Sequence, residues 1–403
     1  MSAGRSPAAT GLRPLDGIRV LALEHAASAP FATRQLADLG AEVVKIERPG
    51  VGDFARTYDT SVHGLSAYFV WLNRSKKSVT LDLKHPAARE VLDRLVERSD
   101  VLVQNLAPGA TARLGLDFEA LHERHPRLIV CDVTGYGDGG PARDRKAYDL
   151  LVQSEAGLLS VTGTSEEPCK VGISIADIAT GMYAFTGVLT ALLLRGRTGR
   201  GSHVPISMLE SLAEWMAHPL YYAHYSGSAP PRNGASHATI APYGAFRAGD
   251  GELLMLGLQN EREWRVFCEQ VLCDPEVAGD PRFGSNVARN ANRAALTGRI
   301  EAAFAGLTRA QVLEKLDAAR IANARLNGMQ ALWDHEQLAA RDRWRTVETE
   351  AGDIQALLPP ATLAGTDAVM DPVPALGAHT GEVLAAIGYH EAEIAELRRA
   401  GAV

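Results

Sequence analysis

The sequence predicts an α/β fold: a doubly wound, Rossmann-like parallel-sheet large domain with a smaller α+β domain. Two observations carry this. Short apolar strands alternate with helices through about the first 200 residues, and a Gly- and Pro-rich break is followed by a different pattern. Ile18 to Leu23 reads as a buried strand, Pro30 to Leu39 as a helix and Glu42 to Ile46 as a second strand, which makes one β-α-β unit. Gly40 stands where a left-handed helix C-cap is wanted, and Pro49-Gly50 stops the second strand. The alternation returns in a helix from Pro86 to Arg98, with Leu92, Leu95 and Val96 on one face, and in a strand from Val101 to Asn105. A helix around Phe118 to His122 leads to the strand Leu128 to Val133. Repeats of this kind with short connections require a parallel sheet covered on both faces. Gly227-Ser-Ala-Pro-Pro-Arg-Asn-Gly234 reads as a linker. Beyond it, Tyr243 to Phe246 and Glu252 to Leu256 form a hairpin around Gly249-Asp250-Gly251, followed by Arg- and Ala-rich helices to about Arg325.

Composition narrows the function classes. The 41 basic residues against 48 acidic ones give a net charge of -7, which offers no footprint for nucleic acid or an anionic membrane, so an anionic ligand must be held by local groups. No apolar run approaches the roughly 18 residues needed to cross a bilayer. Cys131, Cys169, Cys268 and Cys273 lack C-x-x-C spacing and read as reduced packing residues of a cytoplasmic protein. The stretch from Met1 to about Pro14 lacks the apolar core of a secretory signal and reads as a flexible tail.

Several motifs fail. The first β-α turn, His25-Ala-Ala-Ser-Ala-Pro30, has no G-x-G-x-x-G, which demotes a nicotinamide dehydrogenase. Gly196-Arg-Thr-Gly-Arg-Gly-Ser202 lacks the P-loop lysine and follows a helix, as a C-cap and turn would. Gly172-Ile-Ser174-Ile-Ala176 lacks the second glycine of a nucleophile elbow. His122-Glu-Arg-His125 lacks the i, i+4 pair of a zinc protease, and no metal site is expected.

Six segments, taken in order, resemble the family III CoA-transferases. They are Pro14-Leu-Asp-Gly-Ile-Arg-Val-Leu21, Asp38-Leu-Gly-Ala-Glu-Val-Val-Lys-Ile-Glu-Arg-Pro49, Asn73-Arg-Ser-Lys-Lys-Ser-Val-Thr-Leu-Asp-Leu-Lys84, Asp100-Val-Leu-Val-Gln-Asn105 with Pro108-Gly109, Gly135-Tyr-Gly137 with Gly140-Pro141, and Gly172-Ile-Ser-Ile-Ala-Asp-Ile-Ala-Thr-Gly181. The resemblance implies a large CoA-binding domain beginning at 15–225, a small domain with linkers at 226–329, and a C-terminal return to the large domain at 330–403. It also implies an interlocked homodimer. The activity implied is transfer of CoA from an acyl-CoA donor to a carboxylic acid acceptor, with the CoA thioester as substrate, no permanently bound cofactor and no metal.

By the same resemblance the nucleophile is Asp177, which precedes an apolar helix read from Ile178 to Leu194. In isolation an aspartate there would be read as an N-cap. Held beside a thioester, its carboxylate can attack the carbonyl and pass through a mixed anhydride and an aspartyl-CoA thioester. Arg48, Lys84 and Arg113 match positions near the adenine and nucleotide phosphates, Asn105 and Leu106 match positions near the pantetheine, and Leu81, Lys146 and Tyr148 match other CoA-side positions. Ala26 and Ala27 match residues beside the thioester; Ala27 replaces the Gln of formyl-CoA transferase, which argues against formyl-CoA. Tyr148 stands where α-methylacyl-CoA racemase has its histidine, and a phenol with a pKa near 10 is a poor base at neutral pH. A racemase-like enzyme and a thioester hydrolase are the alternatives. Leu256-Gly-Leu-Gln-Asn-Glu-Arg-Glu-Trp264 resembles the version found in transferases for C4 and C5 dicarboxylic acids. Gln259, Asn260, His237 and Arg232 are the candidates for the distal carboxylate, while Glu261 to Trp264 is expected only to start a helix.

Overall fold

The structure, a computed structural model, describes residues 11–403, so most of the expected flexible tail lies outside the described residues. The chain divides into two units. One comprises the residues up to Ala156, Val171–Ala217 and Ala340–Val403; the other comprises Gly157–Lys170 and His218–Ala339. The second unit therefore takes a short early segment that nothing in the sequence pattern had marked, and the C-terminal stretch belongs to the first.

The first unit is built on β1 (Arg19–Leu23), α1 (Ser28–Asp38), β2 (Glu42–Glu47), α2 (Ala67–Asn73), β3 (Lys76–Thr80), α3 (Ala88–Glu97), β4 (Val101–Gln104), α4 (Ala110–Arg113), α5 (Phe118–Arg124), β5 (Ile129–Thr134) and α6 (Asp149–Glu155). After α7 (Leu158–Val161), which lies in the second unit, it resumes with α8 (Ile175–Thr198), β6 (His203–Ser207) and α9 (Met208–Trp215). Six parallel strands lie in the order β3-β2-β1-β4-β5-β6, the doubly wound arrangement that the alternating pattern predicts. Strand residues alternate between the two faces. Val20, Ala22, Val101 and Val103 pack under α1 and α8, whereas Leu21, Leu23 and Leu102 pack under α3, α5 and the C-terminal helix Thr380–Ala386. Gly388, at φ 95°, separates the two short helices Thr380–Ala386 and Glu391–Arg399.

One expectation is corrected by α8. At 24 residues it is long and apolar enough, by length and composition, to cross a membrane. Thr180, Gly181, Thr186, Gly187 and Thr190 interrupt its apolar residues, so no uninterrupted run announces it. Ala184, Val188 and Ala191 from this helix are buried against the sheet and α1, which accounts for one apolar face. A second correction concerns the cysteines: Cys131 and Cys268 are buried, but Cys169 and Cys273 are exposed and do not pack in a core.

The second unit holds a three-stranded antiparallel sheet of β7 (Tyr243–Arg247), β8 (Leu253–Gly257) and β9 (Ala322–Arg325) in that order. The predicted hairpin is β7-β8, with Gly251 in the left-handed region at φ 84°. Its core gathers Leu254, Leu256, Trp264, Phe267, Ile300, Phe304, Val312 and Leu316.

Beneath the carboxyl ends of β1, β2 and β3 lies a buried set of charges. Lys76 Nζ donates to Glu24 Oε1 at 2.7 Å and Lys45 Nζ donates to Asp53 Oδ2 at 2.8 Å, with Lys45 to Glu24 at 3.4 Å. Arg56 forks onto Glu47 at 2.8 Å through two nitrogens, and Ser78 donates to the same carboxylate at 2.6 Å. Burial alone would raise the Glu24 carboxyl, but the two ammonium groups outweigh it and hold it below the ordinary carboxylate range. The same contest leaves Glu47 lowered to about 2 by its bonds to Arg56 and by Lys45. Replacing Glu24 by Gln keeps the shape and deletes the charge, leaving Lys76 buried without a counterion. We expect Glu24→Gln to cost about 3–5 kcal/mol in chemical denaturation; a loss below about 1 kcal/mol would mean that the network is not held as ions.

Candidate active site

In a sheet of this order the carboxyl ends of β1 and β4 part at the switch point, where ligands of such folds enter. The two loops that leave there are tied to one another. Asn105, just after β4, accepts from the His25 backbone N–H through Oδ1 at 2.9 Å and donates through Nδ2 to the His25 carbonyl at 2.8 Å. Ala26 then adopts φ 61°, a left-handed conformation that costs a residue with a Cβ. Its N–H is held by Asp53 Oδ1 at 3.1 Å, and Asp53 is itself fixed by Lys45 and by the Ala55 N–H at 2.9 Å. Ala27 follows as the N-cap residue of α1, with Ser28 opening the helix.

The second half of the site is the start of α8. The helix begins three residues earlier than expected, so Asp177 lies inside its first turn and is not the cap. Ser174 is the N-cap residue, yet its hydroxyl is 2.8 Å from Tyr68 Oη and does not cap. Asp149, from the start of α6, supplies the cap: its Oδ1 accepts from the Ala176 N–H at 2.8 Å and the Asp177 N–H at 3.4 Å. Gln153 donates to the other oxygen of Asp149 at 2.7 Å and accepts from the Val171 N–H at 3.0 Å, which fixes that carboxylate from both sides. The Asp177 side chain is thereby released from capping.

Asp177 is partly buried, and its carboxyl is pushed up to about 7. Burial is the larger cause and the charge of Asp149 the next, while a hydrogen bond from Ser28 works in the opposite direction. Tyr58 feels the same carboxylate: burial first, then Asp53 and Asp177, raise its phenol to about 12. Tyr58 belongs to a string of rings, with Phe54 at 5.8 Å and Tyr68 at 5.6 Å between centroids, and His25 stacks on Phe54 at 5.4 Å. Phe54 and Tyr58 are each 49% exposed, so this wall is open to a ligand.

Residues 15–380 match the family model for CoA-transferase family III. The chain belongs to that family. It is 37% identical over 331 residues to the acetyl-CoA:oxalate CoA-transferase of Acetobacter aceti, a match covering 82% of this chain and 85% of that protein. It is 32% identical over 382 residues to the succinate–glutarate CoA-transferase of Agrobacterium fabrum, covering 92% and 95% respectively. Among solved structures, a CAIB/BAIF family protein from Brucella suis superposes with a TM-score of 0.82 at 33% identity, covering 93% of this chain and all of that one.

The transferase places its sequence-predicted residues unevenly. Ala26, Ala27, Asn105 and Leu106 gather at the switch point, although Asn105 spends its amide on the His25 backbone and Leu106 is partly packed in the core. Lys84 and Arg113, both exposed, line one cleft of about 220 Å³ together with His85, Arg89 and Leu114. Arg89 is tied to Asp93 and to the Leu114 carbonyl, which leaves Lys84 and Arg113 to face solvent there. Arg113 is in the short helix α4 and not in a loop. Arg48 is exposed beyond β2, close enough for its charge to act on His25. Leu81 is 2% exposed, so its side chain is a core residue. Lys146 and Tyr148 are exposed just before α6, Tyr148 at 66%.

The remaining candidates belong to the second unit. Asn260 caps the helix Glu261–Val266 by accepting from the Glu263 N–H at 2.9 Å, and the Gln259 N–H donates to Glu263 Oε2 at 2.8 Å, so the expected helix start is observed. His237 accepts from the Thr239 and Ile240 N–H groups through Nδ1 at 3.2 and 3.1 Å and stacks on Tyr243. Arg232 donates to the Thr164 and Ser165 carbonyls at 2.8 and 3.1 Å. Among the described residues no group of His, Cys, Asp and Glu could hold a metal ion.

The sequence reading missed Asp149, Ser28, Asp53 and Tyr58. Asp149 gave one usable signal, an acidic residue opening an apolar helical stretch; its partner 28 residues on could not be read from spacing.

The raised carboxyl of Asp177 has a consequence for stability. A folded-state value near 7 against an unfolded 3.8 means that Asp177 supports the fold fully below the unfolded value, and that this support is lost as pH rises through about 7. Asp177→Asn, which cannot ionise, should therefore melt a few degrees above the parent near pH 8, with the difference vanishing towards pH 4. Differential scanning fluorimetry over that range checks it; equal melting temperatures at both ends would refute the raised value.

Proposed function

We propose that this family III CoA-transferase moves CoA between short-chain dicarboxylic acids through covalent acylation of Asp177. The observation that carries the reading is the Asp177 carboxylate, partly buried in the first turn of α8 and spared from capping because Asp149 does that work. A carboxylate stripped of part of its water shell is a stronger nucleophile than one in bulk solvent.

In the proposed sequence an Asp177 oxygen attacks the thioester carbonyl and the C–S bond breaks, giving an acyl-aspartyl anhydride and CoA thiolate. The thiolate attacks the aspartyl carbonyl and expels the first acid as its carboxylate, leaving aspartyl-CoA. The acceptor carboxylate attacks that thioester and expels the thiolate, forming a second anhydride. Return of the thiolate to the acceptor carbonyl releases the new acyl-CoA and free Asp177. Each step exchanges one nucleophile for one leaving group, so no net proton is taken up.

For the ligand's anionic end, Lys84 and Arg113 in their shared cleft are the proposed phosphate contacts, with Arg48 towards the adenine. Ala26, Ala27 and the Asn105-clamped turn are proposed to lie along the thioester arm. A dicarboxylate acceptor fits the names of the relatives, which act on oxalate, succinate and glutarate. Within the second unit, where Arg232 is already bonded to backbone carbonyls and Asn260 caps through its Oδ1, the side-chain amides of Gln259 and Asn260 and the Nε2 of His237 are the donors proposed for a substrate carboxylate. Neutral donors bind a carboxylate less stringently than an arginine fork, which predicts tolerance of acid length.

Two measurements test this reading. Asp177→Ala should reduce transfer by at least about 10⁴-fold while CoA affinity changes less than about threefold, because the nucleophile does not hold the nucleotide. Quenched turnover of the parent with succinyl-CoA should yield a peptide carrying CoA on Asp177 by mass spectrometry, and a panel of oxalate, succinate, glutarate and monocarboxylates should favour the diacids. Product formation with no adduct, or turnover confined to monocarboxylates, would overturn the mechanism or the substrate class respectively.

An interlocked homodimer is likewise proposed, in a cytoplasmic setting. Its support is apolar surface that a partner would cover: Leu193 is 72% exposed in α8, and Leu220 58% and Tyr225 81% exposed in the helix Ala217–Ser226. Sedimentation equilibrium should give a mass twice that of the chain at micromolar concentration; a monomer would refute it.

A further inference from the structure

We propose that Gln104 is a positioning residue for the CoA arm: with Asp132 and His203 it forms a hydrogen-bonded relay across β4, β5 and β6 that fixes the backbone of the turn at Asn105 and Leu106. This rests on the CoA arm lying along that turn and is independent of which group is acylated. Gln104 closes β4 and is 4% exposed, so both ends of its amide must be met inside the protein. Its Oε1 accepts from the Leu106 N–H at 2.7 Å, and its Nε2 donates at 2.8 Å to Oδ1 of Asp132, its ladder partner in β5. The other oxygen, Asp132 Oδ2, lies 2.7 Å from Nε2 of His203 in β6. His203 is in turn stacked on Phe118 of α5, with ring centroids 4.9 Å apart and 8° between the planes.

The relay has one polarity. A carboxylate only accepts, so Asp132 takes the N–H of His203 on one oxygen and the N–H of Gln104 on the other. Turning the Gln104 amide over would set its oxygen against Asp132 and its NH2 group against the Leu106 N–H, and both bonds would be lost. The Leu106 N–H is therefore held on the Gln104 side, and because the N–H and C=O of a trans peptide point in opposite directions, the Asn105 carbonyl is turned the other way. Asn105 spends its own side chain on the His25 backbone, so both loops of the switch point inherit the orientation that the relay sets. Without the relay this peptide gains freedom that ligand binding must remove again, which weakens the hold on the acyl-CoA and leaves the chemistry after binding unaltered.

The test uses two variants of the full chain, assayed with succinyl-CoA and glutarate. Gln104→Met keeps the length of the side chain and removes both bonds. Its KM for succinyl-CoA should rise about fivefold, the fold-change of a lost hydrogen bond, while kcat and the KM for glutarate stay within about twofold. Gln104→Glu supplies a rescue: its protonated carboxyl donates to Asp132 and accepts from Leu106 as the amide does, whereas its carboxylate repels Asp132 and donates nothing. The KM of this variant for succinyl-CoA should match the parent's at about pH 5 and exceed it about fivefold at about pH 8. His203 is raised by its bond to Asp132, with Asp138 and Glu119 acting in the same direction, so each value is taken as a ratio to the parent at the same pH. A KM for succinyl-CoA unchanged in Gln104→Met, a loss shared by kcat and both KM values, or the same ratio for Gln104→Glu at both ends of the range would overturn the proposal. Hydrogen exchange separates it from the reading beneath it, because CoA should slow exchange of the parent's amides from Asn105 to Gly109. If CoA does so and Gln104→Met still matches the parent, the relay alone loses its role; if CoA leaves those amides unprotected, both fall.

Discussion

The left-handed turn at Ala26 is the constraint on which the site is built. It bends the chain out of β1 so that α1 can begin at Ser28 and cross α8 at Gly181, one turn from Asp177. An alanine does not hold such a conformation unaided, and the Asp53 carboxylate supplies the hold by accepting the Ala26 N–H. Asp53 in turn needs Lys45, and Lys45 is shared with Glu24, which also binds Lys76. Three carboxylates, Glu24, Glu47 and Asp53, thus meet three cations, Lys45, Lys76 and Arg56, under the strand ends. A matched buried set adds little net stability over an apolar core of the same shape, because desolvation cancels most of the attraction. Its contribution here is geometric: it fixes where the turn can lie.

A division of labour between two aspartates follows at the other half of the site. Some other helices are capped by the residue before them, α5 by Asp117 and α9 by Ser207. In α8 the N-cap Ser174 turns to Tyr68, and Asp149 reaches in from α6 to take the exposed N–H groups. That arrangement places two carboxylates side by side. Asp149 accepts the backbone donors, and Asp177, which does not, is driven towards neutrality by burial and by the charge beside it. Environment, not residue type, separates the capping aspartate from the one whose carboxyl is raised.

What the sequence made legible was whatever depends on short-range pattern. Val20 to Leu23 alternates between faces and Leu92, Leu95 and Val96 share one, and these periods put the strands and α3 within about two residues of their observed ends. The order of motifs pointed to Asp177. Its surroundings were hidden because they come from distant segments: Asp149 is 28 residues away, and Ser28 arrives through a helix crossing permitted by an absent side chain at Gly181. The helix start was misplaced for a related reason. Asp177 has the character of an N-cap in the sequence, whereas the N–H groups of Ala176 and Asp177 are taken by the distant Asp149 and Ile175 and Ala176 are already helical. In the second unit, Asn260 carried an expectation of substrate contact that its capping bond now limits, since capping and ligand signatures draw on the same residue type.

The composition of α8 records a conflict between the helix and the site it carries. Glycine in a helix interior costs roughly 1 kcal/mol relative to alanine, and α8 contains Gly181, Gly187 and, near its end, Gly196. At the first two, an added Cβ would press on a neighbour: at 181 on the start of α1, and at 187 on Val204 of β6 at 2.7 Å. The helix is therefore weakened where it must let other elements approach, and its remaining turns offset this with Ala184, Val188 and Ala191 packed in the core. Length serves the same end. A short helix with glycines in its interior would fray at the first turn that carries Asp177, whereas a 24-residue helix anchored against the sheet does not depend on its first turn to stay formed.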